Sequence, residues 1–105
     1  RVPGAWELPF GTQRMIASPK CMGVIALGAV IRGETSHDQH INRAVSMALM
    51  QLSLEYKKPV ALGLLTVNSL EQAIQRAGGN MGNKGEESAN ALIECLKIAQ
   101  ATREC

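Results

Sequence analysis

Arg32, Gly33, Glu34, Thr35, Ser36 and His37 bring groups that move protons and hold anions to the end of an apolar run over residues 24–31. An imidazole titrates near neutral pH and both donates and accepts a proton, so His37 is the candidate acid/base group. The glycine and hydroxyls before it are residue types found where a helix begins. There, free N–H groups and the positive end of the helix dipole hold a phosphate. The plainer reading of the same residues is an N-cap on Thr35 or Ser36, a solvated histidine, and an ion pair between Arg32 and Glu34 or a neighbour. A second stretch, QRAGGNMGNKGEE over residues 75–87, sets Arg76 and Lys84 on either side of a glycine-rich loop. Two such cations could grip a phosphate and a polar ring. Equally, Arg76 caps a helix dipole and Lys84 makes a surface pair with Glu87 at i, i+3. His37 and His40 stand three apart, not the i, i+4 with a third ligand that zinc-binding helices use, so no metal site is expected.

Chemistry of this kind needs rigid supports, and the hydrophobic pattern supplies them. Residues 22–31 are apolar on both faces, the pattern of a central strand in a parallel sheet. From His37 onward Ile41, Ala44, Val45, Ala48, Leu49 and Leu52 follow helical spacing. Met47, Met50 and Leu54 give that helix a second apolar stripe, a sign of subunit contact. It ends at Lys57-Lys58-Pro59, with two cations suited to its dipole. Residues 60–67 form the next buried strand. Asn68 and Ser69, with Glu71 and Gln72 three residues on, suit a capping box. The short helix they open turns Leu70, Ala73, Ile74 and Ala77 inward, and a last helix begins near Lys84. At the start of the chain, Val2 and Pro3 read as the end of a strand and residues 4–7 as a turn. Pro9 reads as the first turn of a helix reaching about Ala17. Strands alternating with helices predict a parallel sheet covered on both faces. Ligands of such sheets bind outside the carboxyl ends of the strands. Trp6 and Glu7, residues 32–37, and Asn68 with Ser69 all fall at that edge.

The totals set the bounds. Residues 1–105 make one domain, and with one Trp, one Tyr and one Phe its core must be aliphatic. A net charge of +2 without a Lys/Arg cluster argues against nucleic acid. No apolar run approaches membrane-spanning length and no signal peptide is visible, so no membrane partner is expected. Cys21, Cys95 and Cys105 show no CxxC or zinc spacing, which fits reduced thiols in a cytosol-like compartment. Composition and spacing alone lead to an α/β domain with a phosphate-ligand site.

Five segments, taken in order, go further: PGAWELP from Pro3, ALGAVIRGETSH from Ala26, PVALGLLT from Pro59, EQAIQRAG from Glu71 and GNKGEE from Gly82. In order and spacing, over nearly the whole chain, they resemble the lumazine synthase family. The resemblance implies a flavodoxin-like three-layer α/β/α fold around a central parallel sheet. It also implies an activity: 5-amino-6-(D-ribitylamino)uracil condenses with 3,4-dihydroxy-2-butanone 4-phosphate to 6,7-dimethyl-8-ribityllumazine, phosphate and water, with no metal or organic cofactor. By the same resemblance, Ala5, Trp6 and Glu7 meet the pyrimidine and its ribityl chain, and Ala29, Val30 and Ile31 line the pyrimidine pocket. Glu34 and Thr35 hold the butanone phosphate with Arg76 as its main cation, and His37 transfers protons. Lys84 and Glu87 complete the polar lining, while Leu62 and Arg76 reach the site from a neighbouring subunit. Homo-oligomers follow: a pentamer, with a decamer or an icosahedral shell as further assemblies.

The family carries another strand and helix ahead of its PGAWELP segment, so the domain reads as N-terminally incomplete. Its expected place is the cytoplasm, or a plastid if a transit peptide precedes Arg1. Leu62 stands where many members have an aromatic, and Asp38-Gln39-His40 replace the aromatic and acid that often follow the histidine. Two other readings stand beside the enzyme. One is a catalytically silent, flavin- or lumazine-binding or shell-forming relative. The other is a flavodoxin-like binding domain, against which the His37 and Arg76 set counts.

Overall fold

Val24 and Val60 stand side by side, and from them two strands run parallel in unbroken register until Ile31 lies beside Val67. These strands are β1 (Val24–Ile31) and β2 (Val60–Val67) of a computed structural model that describes residues 1–33 and 36–103. A 3₁₀ turn, Ala5–Glu7, leads into α1 (Leu8–Ile16), and α2 (His37–Tyr56) crosses from β1 to β2. After β2 come α3 (Leu70–Arg76), the short strands β3 (Ala77–Gly79) and β4 (Gly82–Asn83), and α4 (Lys84–Thr102).

Alternate strand residues share a face, and this assigns the layers. Ala26 is buried with Val45 and Leu49 of α2, with Leu8, Ile41, Val60 and Leu64 packed around them. On the other face Leu65 and Val67 are buried with Ala73 of α3. The first turns of α4 lie on that face as well, where the Ser88 hydroxyl donates to the carbonyl of Leu62 at 3.4 Å and to that of Lys84 at 2.8 Å. Gly63 permits this close approach: a Cβ there would lie 2.8 Å from Ser88 Oγ and would collide with the Leu27 side chain. Helices α1 and α2 thus cover one face and α3 and α4 the other, the three-layer α/β/α arrangement that the alternation predicts.

The expectation of a strand buried on both faces does not hold for β1. Val24, Ala26 and Val30 are buried, yet Ile25, Leu27 and Ile31 on the opposite face are open, Leu27 at 54 % exposure. Among the described residues the sheet has two strands, so β1 and β2 are both edges. Val2 and Pro3 join no strand. The glycine-rich loop instead forms a small antiparallel ribbon of β3 and β4. Gly78 and Gly82 sit there at φ 117° and 104°, in a region that side chains disfavour.

The helix ends also depart from the reading in instructive ways. Lys57 closes α2 in the left-handed conformation at φ 57°. Lys58 serves a different helix: its ammonium donates to the carbonyls of Ile16 and Ser18, both at 2.9 Å, at the negative end of α1. At the start of α3 the capping box forms with one arm shifted. Ser69 Oγ accepts from the N–H of Gln72 at 3.3 Å, and Gln72 Oε1 accepts from the N–H of Asn68 at 2.7 Å.

Candidate active site

The two strands end level, and the ladder extends one residue further: the N–H of Arg32 donates to the carbonyl of Val67 at 2.7 Å. The main chain of Arg32 is therefore fixed to the tip of β2 before the chain turns toward α2. Ser36 occupies the N-cap position of α2, but its hydroxyl makes no capping hydrogen bond. His37 is the first residue of the helix and is exposed. Glu34 and Thr35, the expected phosphate-holding pair, lie outside the described residues.

Two residues that the sequence reading passed over hold this corner together. Asp38 is only 8 % exposed, and its Oδ2 lies 3.7 Å from Nε of Arg32. One turn further along α2, Asn42 Nδ2 donates to Thr66 Oγ1 of β2 at 2.6 Å, while Asn42 Oδ1 is buried without a partner among the described residues. The first two turns of α2 are tied to both strand ends. The signal was present: positions 38, 42, 45 and 49 form one stripe at helical spacing, and Val45 and Leu49 are core residues. Its polar half faces the strand tips. The Arg32 side chain is 57 % exposed, so the ion pair itself contributes only about 0–1 kcal/mol. Removing Arg32 would cost more than that, because the carboxylate left behind is buried.

The remaining nominated residues fall into two groups. The Ala5–Glu7 turn lies against α2 and β1 and is closed by the N–H of Glu7 donating to Gly4 at 3.1 Å. Trp6 is exposed, and Ala5 and Glu7 are half-buried. Ala5 and Ala29 line one cavity of about 710 Å³ with Val2, Leu8 and Met15. Ala29 also borders a second cavity of about 500 Å³, where Lys84, Leu65 and Ile74 meet it. Val30 is buried and Ile31 exposed at the tip of β1. Glu87 is exposed on the first turn of α4. Arg76 lies elsewhere. It is the last residue of α3 and opens onto a cavity of about 540 Å³ with Thr66, Val67, Gln72 and Met81 on the β2 side. Leu62, also on β2, is partly exposed.

In one copy, then, the Ala5–Glu7 turn packs against β1 and α2, and Ala5 and Ala29 share a cavity, while His37 opens α2. The principal candidate cation for a phosphate opens to a separate cavity beside β2. Among the described residues no three His, Cys, Asp or Glu side chains converge as metal ligands, and no helix is long and apolar enough to cross a membrane.

Comparison with known proteins adds a family. The model of the 6,7-dimethyl-8-ribityllumazine synthase family matches residues 1–100. A protein of Rhodopirellula baltica named 6,7-dimethyl-8-ribityllumazine synthase is 52 % identical over 103 residues, which cover 98 % of this chain and 66 % of the relative. One of the same name from Desulfovibrio desulfuricans is 45 % identical over 100 residues, covering 95 % of this chain and 64 % of the relative. The chain spans just under two thirds of the length of these curated relatives.

Proposed function

Because the chain belongs to the 6,7-dimethyl-8-ribityllumazine synthase family, we propose that the protein catalyses that transfer: 5-amino-6-(D-ribitylamino)uracil and 3,4-dihydroxy-2-butanone 4-phosphate give 6,7-dimethyl-8-ribityllumazine, phosphate and water. What supports the reading, beside the family, is that the Ala5–Glu7 turn packs against both β1 and α2, the helix that His37 opens. In this account the amine attacks the ketone, the carbinolamine loses water, phosphate departs and the ring closes. Each step moves a proton, and His37 is the group that takes and returns it. Ala5, Trp6 and Glu7 meet the pyrimidine and ribityl chain, and Ala29, Val30 and Ile31 line the ring's pocket. Glu34 and Thr35 hold the phosphate at the start of α2. Lys84 and Glu87 complete the polar lining. No metal or organic cofactor takes part. Holding two substrates face to face supplies a large share of the acceleration of a bimolecular condensation.

Arg76 and Leu62 enter this pocket from an adjacent copy. Two features favour that arrangement. Arg76 opens onto a different cavity of its own chain, and α2 exposes Met47, Met50 and Leu54 as an apolar stripe. A ring of five copies brings the β2 side of each against the β1 side of the next, a heterologous contact that closes. Cys21 and Cys95 are free thiols, which suits the cytoplasm as its location. The test is to mix both substrates with the protein and follow lumazine fluorescence. Product formation supports the enzyme, whereas a bound substrate with no turnover favours a silent relative.

A further inference from the structure

We infer that Asp38 is a positioning residue for the proposed reaction, acting with Arg32 as a clasp that holds the start of α2, and with it His37, to the ends of the two strands. The inference rests on the function proposed above, and three observations carry it. The Arg32 main chain is held to Val67 at 2.7 Å, so Arg32 is tied to the sheet. The Arg32 side chain reaches Asp38 at 3.7 Å, so the first turn of α2 is paired with that anchored residue. Asn42, one turn on, is bonded to Thr66 at 2.6 Å, so the helix that carries Asp38 is itself seated on β2.

The residue type is informative. Asp38 continues the stripe of Val45 and Leu49, where an apolar side chain would pack at no electrostatic cost. A carboxylate at 8 % exposure is costly unless paired. Its pairing with Arg32 gives it a role that packing alone does not. A misplacement of about 1 Å costs on the order of 100-fold in rate where two substrates must be held in register. His37 is covalently next to Asp38, so a loosened clasp moves the acid/base group directly.

The test compares Asp38→Asn, Arg32→Gln and the double variant by amide hydrogen exchange and by steady-state kinetics. Arg32→Gln is included because its side chain is largely exposed and its replacement leaves the core packing in place. Arg32→Gln, which strands the buried Asp38 carboxylate, is expected to speed exchange across residues 36–42 by at least about tenfold, and Asp38→Asn by a smaller factor, while residues 60–67 keep their protection. Each is also expected to lower kcat by about tenfold or more, with KM for the pyrimidine within about twofold of the parent. The double variant should match Asp38→Asn and be no worse than Arg32→Gln, since it removes the carboxylate that Arg32→Gln alone leaves buried and unpaired. Unchanged exchange and kcat in the singles would overturn the clasp, as would effects that multiply in the double variant. If the parent protein shows no turnover, the enzyme reading fails by itself. The exchange measurement then decides whether the clasp exists.

Discussion

His37 begins α2 beside the end of β1, and Arg76 ends α3 beside the end of β2. The account gives them separate tasks that separate kinetic parameters report. His37→Ala should lower kcat by roughly 100- to 10,000-fold, the usual share of a general acid/base group, while native mass stays unchanged. A normal rate would remove His37 from the mechanism. Arg76→Ala removes a charge-assisted contact worth about 1.5–3 kcal/mol. It should raise KM for the butanone phosphate by roughly 10- to 100-fold and leave the pyrimidine KM nearly untouched. Equal use of the phosphate substrate by parent and variant would contradict the assignment. At this scale the sequence was partly legible. Residue types and order pointed to His37 and Arg76 without showing which surfaces they occupy. The tasks of Asn42 and Lys58 stayed hidden because each acts through a partner distant in sequence: Thr66 for Asn42, Ile16 and Ser18 for Lys58. Local spacing carries no information about such partners.

Among the elements, β2 matches its expected residues 60–67, and α2 begins at the expected His37. Both rest on strong local signals, a continuous apolar run bounded by Pro59 and Asn68 and a long helical period. The β3–β4 ribbon rests on two positive-φ glycines and a bulge, and neither has a hydrophobic period to announce it. β1 and β2 both carry the apolar pattern of inner strands, yet among the described residues each is an edge of a two-stranded sheet. Two substitutions test how the elements are held. Lys58→Met deletes both hydrogen bonds to the end of α1 and should cost about 1–2 kcal/mol. Calorimetry should show this as a fall in Tm of roughly 5–10 °C; an unchanged Tm would mean the two contacts add nothing. Gly63→Ala forces Leu27 and Ser88 aside and should cost about 1–3 kcal/mol by overpacking. A neutral result would show that α4 lifts from the sheet at little cost.

As a whole the molecule is more open than its mass requires. It exposes 7496 Å², where a monomer of this mass exposes about 5,700 Å², and the excess is more than the ~800 Å² that one partner buries in a standard interface. Its radius of gyration is 14.6 Å and its extents are 49 × 27 × 21 Å, against about 13 Å for a domain of this length. Met47, Met50 and Leu54 contribute to that exposure, so Met50→Lys should reduce the native mass measured by light scattering, and an unchanged assembly would remove this stripe from the interface. The central claim, a pocket shared between copies, is tested most directly by mixing two variants and assaying them at a butanone phosphate concentration far below the raised KM of Arg76→Ala, where neither variant alone is appreciably active. His37→Ala and Arg76→Ala chains are dissociated, combined in equal amounts and reassembled, and lumazine formation is measured. In a ring whose sites each take one residue from either neighbour, about a quarter of the sites regain both groups, so activity should rise toward about a quarter of the parent's. Mixed assemblies of confirmed native mass that stay as inactive as either variant alone would contradict the account.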